Sequence, residues 1–389
     1  MTHGPGTTSV HEGSEPDPAT GAVTRPLLRT STFRFDTVPD LLAGARGERP
    51  GFYTRYGHPN FGAVEAKFAA LHGAGAAVLF ASGMAAFGGI LQAHVRAGDR
   101  IVALADLYGG TRVLLAELAA RFGVGVTLVP RHDDDALTRA LPGARLLIAE
   151  SPINPTLRIV DVGRLAERAH RAGALLAFDN TFATPVHQQP LAMGADLVWE
   201  SATKALGGHS DLLAGLVAGR ADLVEPVREA RKVWGAIADP DTAWLLERGM
   251  KTLVARLDRQ SRTAAELAAW LERHPAVASV LYPGLPSHPD HELARRQMRG
   301  YGFMVAFDCR GGLEAARAVA ERVRLIAHAP SLGGVESLLS LPVYTSHAYL
   351  TAAERAACGV GDGLVRLSVG CEDLGDLQAD LEAALGAPR

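Results

Sequence analysis

Cysteine is scarce in this sequence: Cys309, Cys358 and Cys371 are the only three among 389 residues. Three thiols cannot form a disulfide framework, and their spacing matches no zinc module. This favours a protein of the reducing cytoplasm. The segment His288-Pro289-Asp290-His291-Glu292 contains metal-binding residue types, but it lies in a proline-rich loop without helix or strand spacing. We therefore expect no metal site.

Long apolar runs and an excess of positive charge are also missing. No apolar stretch approaches the roughly 20 residues that span a bilayer. The formal net charge is −3, which offers no basic surface for nucleic acid or for an anionic membrane. We therefore expect neither as a partner. The first 20 or so residues lack the charged-then-apolar layout of a secretion signal, and their composition predicts a disordered lead-in.

What the sequence does contain is a regular alternation of apolar runs and amphipathic stretches from about residue 60 to 245. Strands about 25 residues apart with helices between them predict an α/β fold, a doubly wound and mostly parallel sheet. The predicted strands are Ala76–Ala81, Arg100–Ala105, Val124–Val129, Arg145–Glu150, Ala174–Asp179, Asp196–Glu200 and Leu212–Ala218. The predicted helices between them are Ala63–His72, Met84–Ala97, Thr111–Phe122 and Val162–Ala172.

The pattern changes after residue 245. One long helical stretch is expected over Trp244–His274, and strands and helices then mix in a smaller α+β domain. The predicted division is an N-terminal arm over 1–59, a large domain over 60–245 and a C-terminal domain over 246–389. The triplet Asp133–Asp135 is interpreted as a solvated turn.

Lys204 is the most informative residue. It lies in Ser201-Ala202-Thr203-Lys204, directly after a predicted strand, and Asp179 ends the predicted strand before that one. Parallel strands end at one edge of the sheet, where α/β proteins bind ligands. A lysine among hydroxyls and glycines, opposite an acid, is typical of a site for pyridoxal phosphate (PLP). The amine condenses with the aldehyde, and the acid pairs with the ring nitrogen.

A phosphate group needs backbone N–H donors, hydroxyls and a cation. Ser82, Gly83 and Met84 lie in a turn between a predicted strand and a predicted helix, where free N–H groups favour anions. Ser201 and Thr203 add hydroxyls beside the lysine. Upstream of the sheet, Arg55 lies close to Tyr53 in an irregular segment, where a guanidinium can bind phosphate through two hydrogen bonds.

Two further side chains are candidates. Tyr108 follows a predicted strand, where its ring can stack on a flat cofactor and its phenol can move protons. Arg366 lies on an otherwise apolar strand, and a buried guanidinium needs an anionic partner. A substrate carboxylate and a structural Asp or Glu are both possible partners.

Together these stretches resemble the Cys/Met-metabolism family of PLP enzymes. That family includes cystathionine γ-synthase, cystathionine β- and γ-lyases, methionine γ-lyase and O-acylhomoserine sulfhydrylases. The matching motifs are Tyr53-Thr54-Arg55, Ala81-Ser82-Gly83-Met84-Ala85, Tyr108-Gly109-Gly110-Thr111, Asn154-Pro155-Thr156, Asp179-Asn180-Thr181-Phe182, Ser201-Ala202-Thr203-Lys204, Ser331-Leu332-Gly333-Gly334 and Arg366-Leu367-Ser368-Val369-Gly370.

The resemblance implies a fold type I architecture and a homotetramer of two tight dimers with shared active sites. It implies that Lys204 holds PLP covalently and shuttles protons, that Asp179 pairs with the ring nitrogen, and that Tyr108 stacks on the ring and assists the leaving group. It implies phosphate binding by Ser82, Gly83, Met84, Ser201 and Thr203, together with Tyr53 and Arg55 of the neighbouring subunit. It also implies that Ser331 and Arg366 bind the substrate carboxylate. Asn154 and Thr181 are implied to lie near the ring.

Some positions depart from the family pattern. Cystathionine-handling members usually carry an acid where this chain has Phe52 and Pro330, both at expected substrate-binding positions. Methionine γ-lyases usually carry a cysteine at the position of Gly110. A distal ammonium would meet no counter-charge at either of the first two positions, which disfavours cystathionine. The arm motif His58-Pro59-Asn60 and the segment Thr345-Ser346-His347 also differ from the usual residues.

These departures predict γ-elimination from a small amino acid with a leaving group at Cγ, and a non-protein amino acid of a specialised pathway is one candidate. Elimination and γ-replacement would use the same residues, so γ-replacement and a cystathionine β- or γ-lyase stay open as alternatives. A nicotinamide-dependent oxidoreductase is remote, because Gly73-Ala74-Gly75 lacks the third glycine and the ribose-binding acid of that fingerprint. A non-catalytic binding protein is also a remote alternative, because Lys204 and Asp179 are both present.

Overall fold

The computed structural model describes residues 3–48, 51–348 and 350–386. Within them the helices are α1 Pro5–His11, α2 Val38–Ala45, α3 Pro59–His72, α4 Gly83–His94, α5 Gly109–Phe122, α6 Asp134–Ala140, α7 Val162–Arg171, α8 Thr184–His187, α9 Ala221–Trp234, α10 Pro240–Lys251, α11 Leu253–Glu272, α12 His291–Gln297, α13 Gly312–Arg322, α14 Ala352–Ala357 and α15 Leu374–Leu385. The strands are β1 Ala76–Phe80, β2 Arg100–Leu104, β3 Gly125–Val129, β4 Leu146–Glu150, β5 Leu175–Asp179, β6 Leu197–Ser201, β7 Gly215–Gly219, β8 Val277–Leu281, β9 Met304–Cys309, β10 Ala327–His328, β11 Leu338–Ser340 and β12 Leu364–Ser368.

Seven strands of the described residues form the large sheet, in the order β1-β7-β6-β5-β4-β2-β3. Strands β3, β2, β4, β5 and β6 run parallel, whereas β7 is antiparallel to both of its neighbours. The predicted doubly wound, mostly parallel sheet is therefore confirmed. The register pairs Glu150 with Asp179 and Asp179 with Trp199, so all three residues lie at the edge where the parallel strands end.

Both faces of this sheet are buried except at the edge strand β3, which explains why the inner strands are continuous apolar runs. Successive side chains point to opposite faces. Leu79 and Val198 belong to a core under α3, α10 and α11, while Val78 and Trp199 belong to a core under α4 and α9. The two cores hold the strand ends in fixed positions at one edge.

A second sheet, in the order β10-β11-β12-β9-β8, forms the C-terminal part. Helices α11, α13 and α15 pack against it around a separate apolar core that includes Leu267, Phe307 and Leu381. This is the smaller α+β unit that the sequence predicts. Strand β12 carries Arg366 in its centre, where the residue is buried.

The N-terminal segment differs from the predicted disordered lead-in, since α1 packs against α3, α10 and α11. The buried Lys67 ammonium on α3 donates to the Ser9 carbonyl oxygen at 2.7 Å and to Ser14 Oγ at 3.1 Å. Burial lowers the pKa of Lys67 to about 8. The polar composition of the segment gives no sign of this contact, because the ammonium group that binds it belongs to Lys67, more than 50 positions away.

Two other elements differ in detail from the predictions. The expected single helix over Trp244–His274 is two helices, α10 and α11, joined at Thr252. The triplet Asp133–Asp135 is a helix start and not a solvated turn. Asp133 caps α6 by accepting from the Ala136 N–H at 2.8 Å, and acids at a helix N-terminus are stabilised by its dipole. Among the described residues, no helix is long and apolar enough to cross a membrane.

Candidate active site

A cavity of about 590 Å³ opens at the carboxyl edge of the large sheet and extends to the C-terminal part. It brings together most of the side chains that the sequence singles out, although they come from widely separated segments. The predicted residues that line it are Ser82, Gly83, Met84, Tyr108, Asn154, Asp179, Thr181, Ser201, Thr203, Lys204, Pro330, Ser331 and Arg366.

Lys204 reaches into this cavity from the turn that follows β6. Its Nζ donates to Ser331 Oγ at 2.8 Å, so a residue of the large sheet and a residue of the C-terminal part meet at the amine. Burial, with a smaller contribution from the positive charge of Arg366, lowers the pKa of Lys204 to about 8. About a tenth of the amine is therefore uncharged at pH 7, far more than for an ordinary lysine, and this fraction can act as a nucleophile.

Asp179 ends β5 with its carboxyl group buried beside the cavity. Its Oδ1 accepts from the Thr181 N–H at 3.0 Å and from the Thr181 hydroxyl at 2.6 Å. Thr181 Oγ1 also accepts from the Ser201 N–H at 2.9 Å, which ties the ends of β5 and β6 together. Burial raises the pKa of Asp179 to about 6 although the Thr181 bonds act in the opposite direction. A cationic ring nitrogen would satisfy this carboxylate.

The start of α4 forms a cradle suited to an anion. Ser82 caps the helix by accepting from the Ala85 N–H at 3.1 Å, and Gly83 is its first residue. A Cβ on Gly83 would lie 2.8 Å from the Ser201 Cβ, so only glycine lets the helix start approach β6 this closely. Thr203 Oγ1 accepts from the Ala214 N–H at 3.1 Å, which fixes the loop beside the cradle.

Arg366 lies across the cavity from this cradle. Its Nη1 donates to Asn154 Oδ1 at 2.9 Å, and its Nη2 donates to the Ser331 carbonyl oxygen at 3.0 Å. Burial lowers the pKa of Arg366 to about 10. In the part of the chain that the structure describes, no carboxylate forms an ion pair with this guanidinium. A structural Asp or Glu partner, one of the two predicted possibilities, is therefore absent from those residues.

Tyr108 precedes α5 with its ring half-exposed at the cavity. A Cβ on Gly110 would lie 2.6 Å from this ring, so the glycine permits the position that the ring adopts. The Tyr108 N–H donates to Glu150 Oε2 at 2.7 Å.

Glu150 is a cavity residue that the sequence analysis missed. It ends β4 opposite Asp179, and its Oε1 also accepts from the Asn154 N–H at 3.2 Å. One carboxyl group thus positions both Tyr108 and Asn154. Burial, followed by the repulsion from Asp179, raises its pKa to about 8. The available signal was an acid that ends an apolar strand, the same pattern that identified Asp179.

Three predicted residues lie outside the cavity within a single chain. Phe52 packs against Phe35 and Tyr56, with ring centroids 6.1 and 5.4 Å away. Arg55 donates to the Lys232 carbonyl oxygen at 2.8 Å. Tyr53 is 42% exposed. Their contribution to an active site of a neighbouring subunit stays a prediction.

The residues present fit PLP in three respects. An amine with a lowered pKa is available for the aldehyde, a buried carboxyl for the ring nitrogen, and a glycine-started helix with adjacent hydroxyls for the phosphate. The buried guanidinium of Arg366 adds a site for a carboxylate that these three groups do not occupy.

The sequence matches a known enzyme family and several of its members over nearly its whole length. The family model described as Cys/Met metabolism PLP-dependent enzyme matches residues 6–386. Cystathionine γ-synthase of Mycobacterium tuberculosis (strain H37Rv) is 46% identical over 386 residues, covering 98% of this chain and 97% of that protein. L-methionine γ-lyase of Porphyromonas gingivalis is 41% identical over 390 residues, covering 99% and 98%.

Solved structures agree with the sequence relatives. The crystal structure of cystathionine γ-synthase from Xanthomonas oryzae in complex with aminoacrylate and cysteine matches with a TM-score of 0.94 at 39% identity, covering 99% of this chain and 98% of that one. Cystathionine γ-lyase (CalE6) of Micromonospora echinospora matches with a TM-score of 0.92 at 40% identity, covering 99% and 100%. Synthases and lyases are thus similar to this chain to nearly the same degree.

Proposed function

Because the chain belongs to the Cys/Met-metabolism family of PLP-dependent enzymes, we propose that it removes a neutral substituent from Cγ of a small amino acid by elimination. The family confirms the predicted cofactor and the fold type I architecture. The observation that carries the proposed substrate class is the distribution of charge in the cavity. Its ionisable lining residues in this chain are Glu150, Asp179, Lys204 and Arg366. The raised pKa of Glu150, about 8, keeps most of that carboxyl group uncharged at neutral pH, and the other three are assigned below to the cofactor or to the substrate carboxylate.

When bound, PLP would supply an electron sink that makes the proton on Cα acidic and afterwards a proton on Cβ. In the proposed arrangement, Lys204 forms the covalent bond and Asp179 keeps the ring nitrogen protonated. Ser82, Gly83, Met84, Ser201 and Thr203 hold the phosphate, joined by Tyr53 and Arg55 from a neighbouring copy of the chain in a homotetramer.

Proton movement is the proposed task of Lys204 once the substrate amine has displaced it. Its lowered pKa of about 8 lets the uncharged amine take the proton from Cα, and Ser331 Oγ fixes the position of Nζ through the 2.8 Å hydrogen bond. Lys204 would pass this proton to the bound cofactor and would then take a second proton, from Cβ, after which the bond between Cγ and its substituent can break. The Tyr108 phenol, at the half-exposed side of the cavity, assists the departing group.

Substrate orientation is the proposed task of Arg366. The guanidinium has N–H groups beyond the two that Asn154 and Ser331 occupy, and a carboxylate can accept from them. Since Asn154 is itself held by Glu150, the carboxylate site and the tyrosine are positioned by one buried acid.

The distal end of the substrate would face Leu213, Pro330 and Leu332, which line the cavity without charge. A distal ammonium group there would meet no counter-charge from this chain and would lack the stabilisation of about 1 kcal/mol that a partly solvated ion pair gives, because Leu213 and Pro330 leave this end of the cavity exposed. A small, neutral γ-substituent such as an alkylthio or acyloxy group needs no counter-charge, which is why we place cystathionine below such substrates.

A substrate panel tests the proposal. Purified enzyme is incubated with methionine, homocysteine, homoserine esters, γ-halo amino acids and cystathionine, and the products are identified by mass spectrometry. We expect release of the γ-substituent together with ammonium and a 2-oxo acid, with water as co-reactant, and a higher kcat/KM for the neutral substrates. A clear preference for cystathionine would overturn the proposed substrate class.

A second candidate is γ-replacement, in which a nucleophile such as a thiol takes the place of the departing group. The observation that favours it is the 46% identity to a protein named cystathionine γ-synthase. Because both outcomes use the same residues, the panel is repeated with added cysteine and with simple thiols. Conversion to a thioether without ammonium release would assign replacement, whereas unchanged ammonium release would assign elimination.

A further inference from the structure

The segment between β8 and α12 contacts the loop that carries Asn154, and it has no part in the chemistry proposed above. Asp290, at the end of this segment, accepts from Arg158 Nε at 2.6 Å and from Arg158 Nη2 at 2.9 Å. Its Oδ2 also accepts from the Ile159 N–H at 2.9 Å. The Arg158 and Asp290 side chains are 27% and 15% exposed, so this ion pair is partly shielded from solvent. One carboxylate thus holds the end of the loop between β4 and α7 through three hydrogen bonds.

Helix α12 adds further contacts to the same end of the loop. Gln297 Nε2 donates to the Val160 carbonyl oxygen at 2.9 Å. Ile159 is buried in a small apolar cluster with Ala294 and Met298. The C-terminal part of the chain therefore holds this end of the loop by polar and apolar contacts together.

The loop is closed on itself, so a shift at its end is transmitted to Asn154. The Ile153 N–H donates to the Arg158 carbonyl oxygen at 2.9 Å, and the Leu157 N–H donates to the Ile153 carbonyl oxygen at 2.7 Å. Leu157 has a positive φ of 54°, which is unfavourable for a residue with a Cβ and persists where surrounding contacts require it. Asn154 lies inside this turn. Release of Arg158 would therefore let the turn relax and Asn154 move.

Asn154 connects the turn to the guanidinium of Arg366. Its Oδ1 accepts from Arg366 Nη1 at 2.9 Å, and its N–H donates to Glu150 Oε1 at 3.2 Å. Glu150 and Asp290 thus hold the two ends of one loop, and the amide between them orients the guanidinium. A carboxylate accepts two hydrogen bonds from a guanidinium only when the two planar groups are aligned. The orientation of Arg366 therefore decides how well it binds a carboxylate.

We propose that Asp290 is a positioning residue for the substrate carboxylate. Through Arg158 and the turn around Asn154, it holds the Arg366 guanidinium in the orientation that a carboxylate can meet with two hydrogen bonds. Asp290 does not line the cavity, so it acts through these neighbours and not by touching the cofactor or the substrate. The inference rests on the proposed role of Arg366 as the carboxylate site.

The experiment compares the binding of two amines to the full-length enzyme with PLP bound. L-Norleucine has an amino group, a carboxylate and an unbranched apolar side chain without a leaving group, and pentylamine is its counterpart without the carboxylate. Binding of each is followed by the change in the visible absorbance of the bound cofactor. The ratio of Kd for pentylamine to Kd for L-norleucine measures recognition of the carboxylate, because the amine and the side chain are common to both.

For Asp290→Ala we expect this ratio to fall about fivefold, the size of coupling within one hydrogen-bond network, with the Kd for pentylamine unchanged. The control is Glu292→Gln, which removes an exposed carboxylate nearby that accepts from Arg295 at 2.9 Å, and its ratio should equal that of the wild type. A purely structural role for Asp290 would weaken binding of both amines by the same factor, and that unchanged ratio would overturn the inference. If Asp290→Ala does not fold, Arg158→Gln decides, because it breaks the same ion pair and an unchanged ratio there contradicts the proposal.

Arg366→Gln distinguishes failure of the inference from failure of the role on which it rests. If this variant has the ratio of the wild type, Arg366 is not the carboxylate site. If it lowers the ratio and Asp290→Ala does not, the role of Arg366 stands and the inference about Asp290 is wrong.

The variant with both substitutions tests whether Asp290 acts through Arg366. We expect Asp290→Ala to lower the ratio no further once Arg366 is glutamine, because the group that it positions is gone. An equal fall in the presence and absence of Arg366 would show that Asp290 acts by another route, and it would overturn the inference.

Discussion

Lys204 Nζ and Ser331 Oγ, 127 residues apart in the sequence, are joined by a hydrogen bond of 2.8 Å. The lysine follows a strand of the large sheet, whereas the serine lies between β10 and β11 of the second sheet and has a positive φ of 99°. A non-glycine residue in that conformation is strained, and such strain persists where the surrounding structure requires it. The contact therefore couples the two parts of the chain at the reactive amine.

Substitution of Lys204 by alanine is the most direct test of that amine. We expect turnover to fall by about 10⁴-fold or more, because both the covalent attachment and the proton transfers are lost. The yellow absorbance of the purified protein should disappear, and treatment of the wild type with borohydride should bleach the same band. Ser331→Ala, which removes only the hydrogen-bond acceptor, should keep the band. A Lys204→Ala variant that retained both colour and turnover would contradict the assignment.

The pKa of Lys204, lowered to about 8, predicts the pH dependence of cofactor uptake. The protonated ammonium cannot attack an aldehyde, so the rate at which stripped protein regains its absorbance should increase as the pH rises through about 8. The charge of Arg366 contributes to the lowering. In Arg366→Gln that contribution is absent, and the midpoint should therefore move to higher pH. Stopped-flow absorbance between pH 6 and 10 measures both midpoints, and an unchanged midpoint in the variant would contradict this electrostatic coupling.

The sequence predicts a site residue where a reactive side chain directly follows a recognisable strand within one short segment. Lys204 and Asp179 are found from the sequence because each follows an apolar strand, and the ends of parallel strands meet. Glu150 has the same position at the end of its strand, but no hydroxyl-rich or glycine-rich motif next to it marks it as a site residue. Nothing in its segment shows that its oxygens accept from the N–H groups of Tyr108 and Asn154.

Long-range contacts set the limit of such predictions. His72 Nε2 and Glu200 Oε1, both buried and 2.9 Å apart, join residues 128 positions apart, and neither residue stands out in its own segment of the sequence. Helix α1 was likewise hidden, because its stability depends on a buried lysine of α3 and not on its own composition. Local patterns predict elements, whereas buried polar partners are decided by the tertiary packing.

Gly83 and Gly88 on the same helix form a matched pair for testing the phosphate cradle. A Cβ on Gly83 would lie 2.8 Å from the Ser201 Cβ, whereas a Cβ on Gly88 would meet nothing within 4 Å. Gly83→Ala should therefore displace the helix start and weaken PLP binding by about tenfold or more, since the N–H donors move away from the anion. Gly88→Ala should leave PLP binding unchanged and raise the free energy of unfolding by about 0.5–1 kcal/mol. Fluorescence titration and thermal unfolding of both variants measure these effects, and equal PLP affinities would contradict the cradle.

Pro330 offers a test of the proposed substrate class, because it is exposed at the cavity mouth beside Ser331. Pro330→Glu places a carboxylate where a distal ammonium would lie, and Pro330→Gln is the control that loses the ring without adding charge. Relative to the glutamine variant, the glutamate variant should raise the ratio of kcat/KM for cystathionine to kcat/KM for methionine by about fivefold, the effect of a partly solvated ion pair of about 1 kcal/mol. The gain should shrink as the salt concentration rises, since the new charge is accessible to solvent. Equal ratios for the two variants would mean that position 330 does not face the distal end of the substrate, and the neutral mouth of the cavity would then no longer account for the proposed preference.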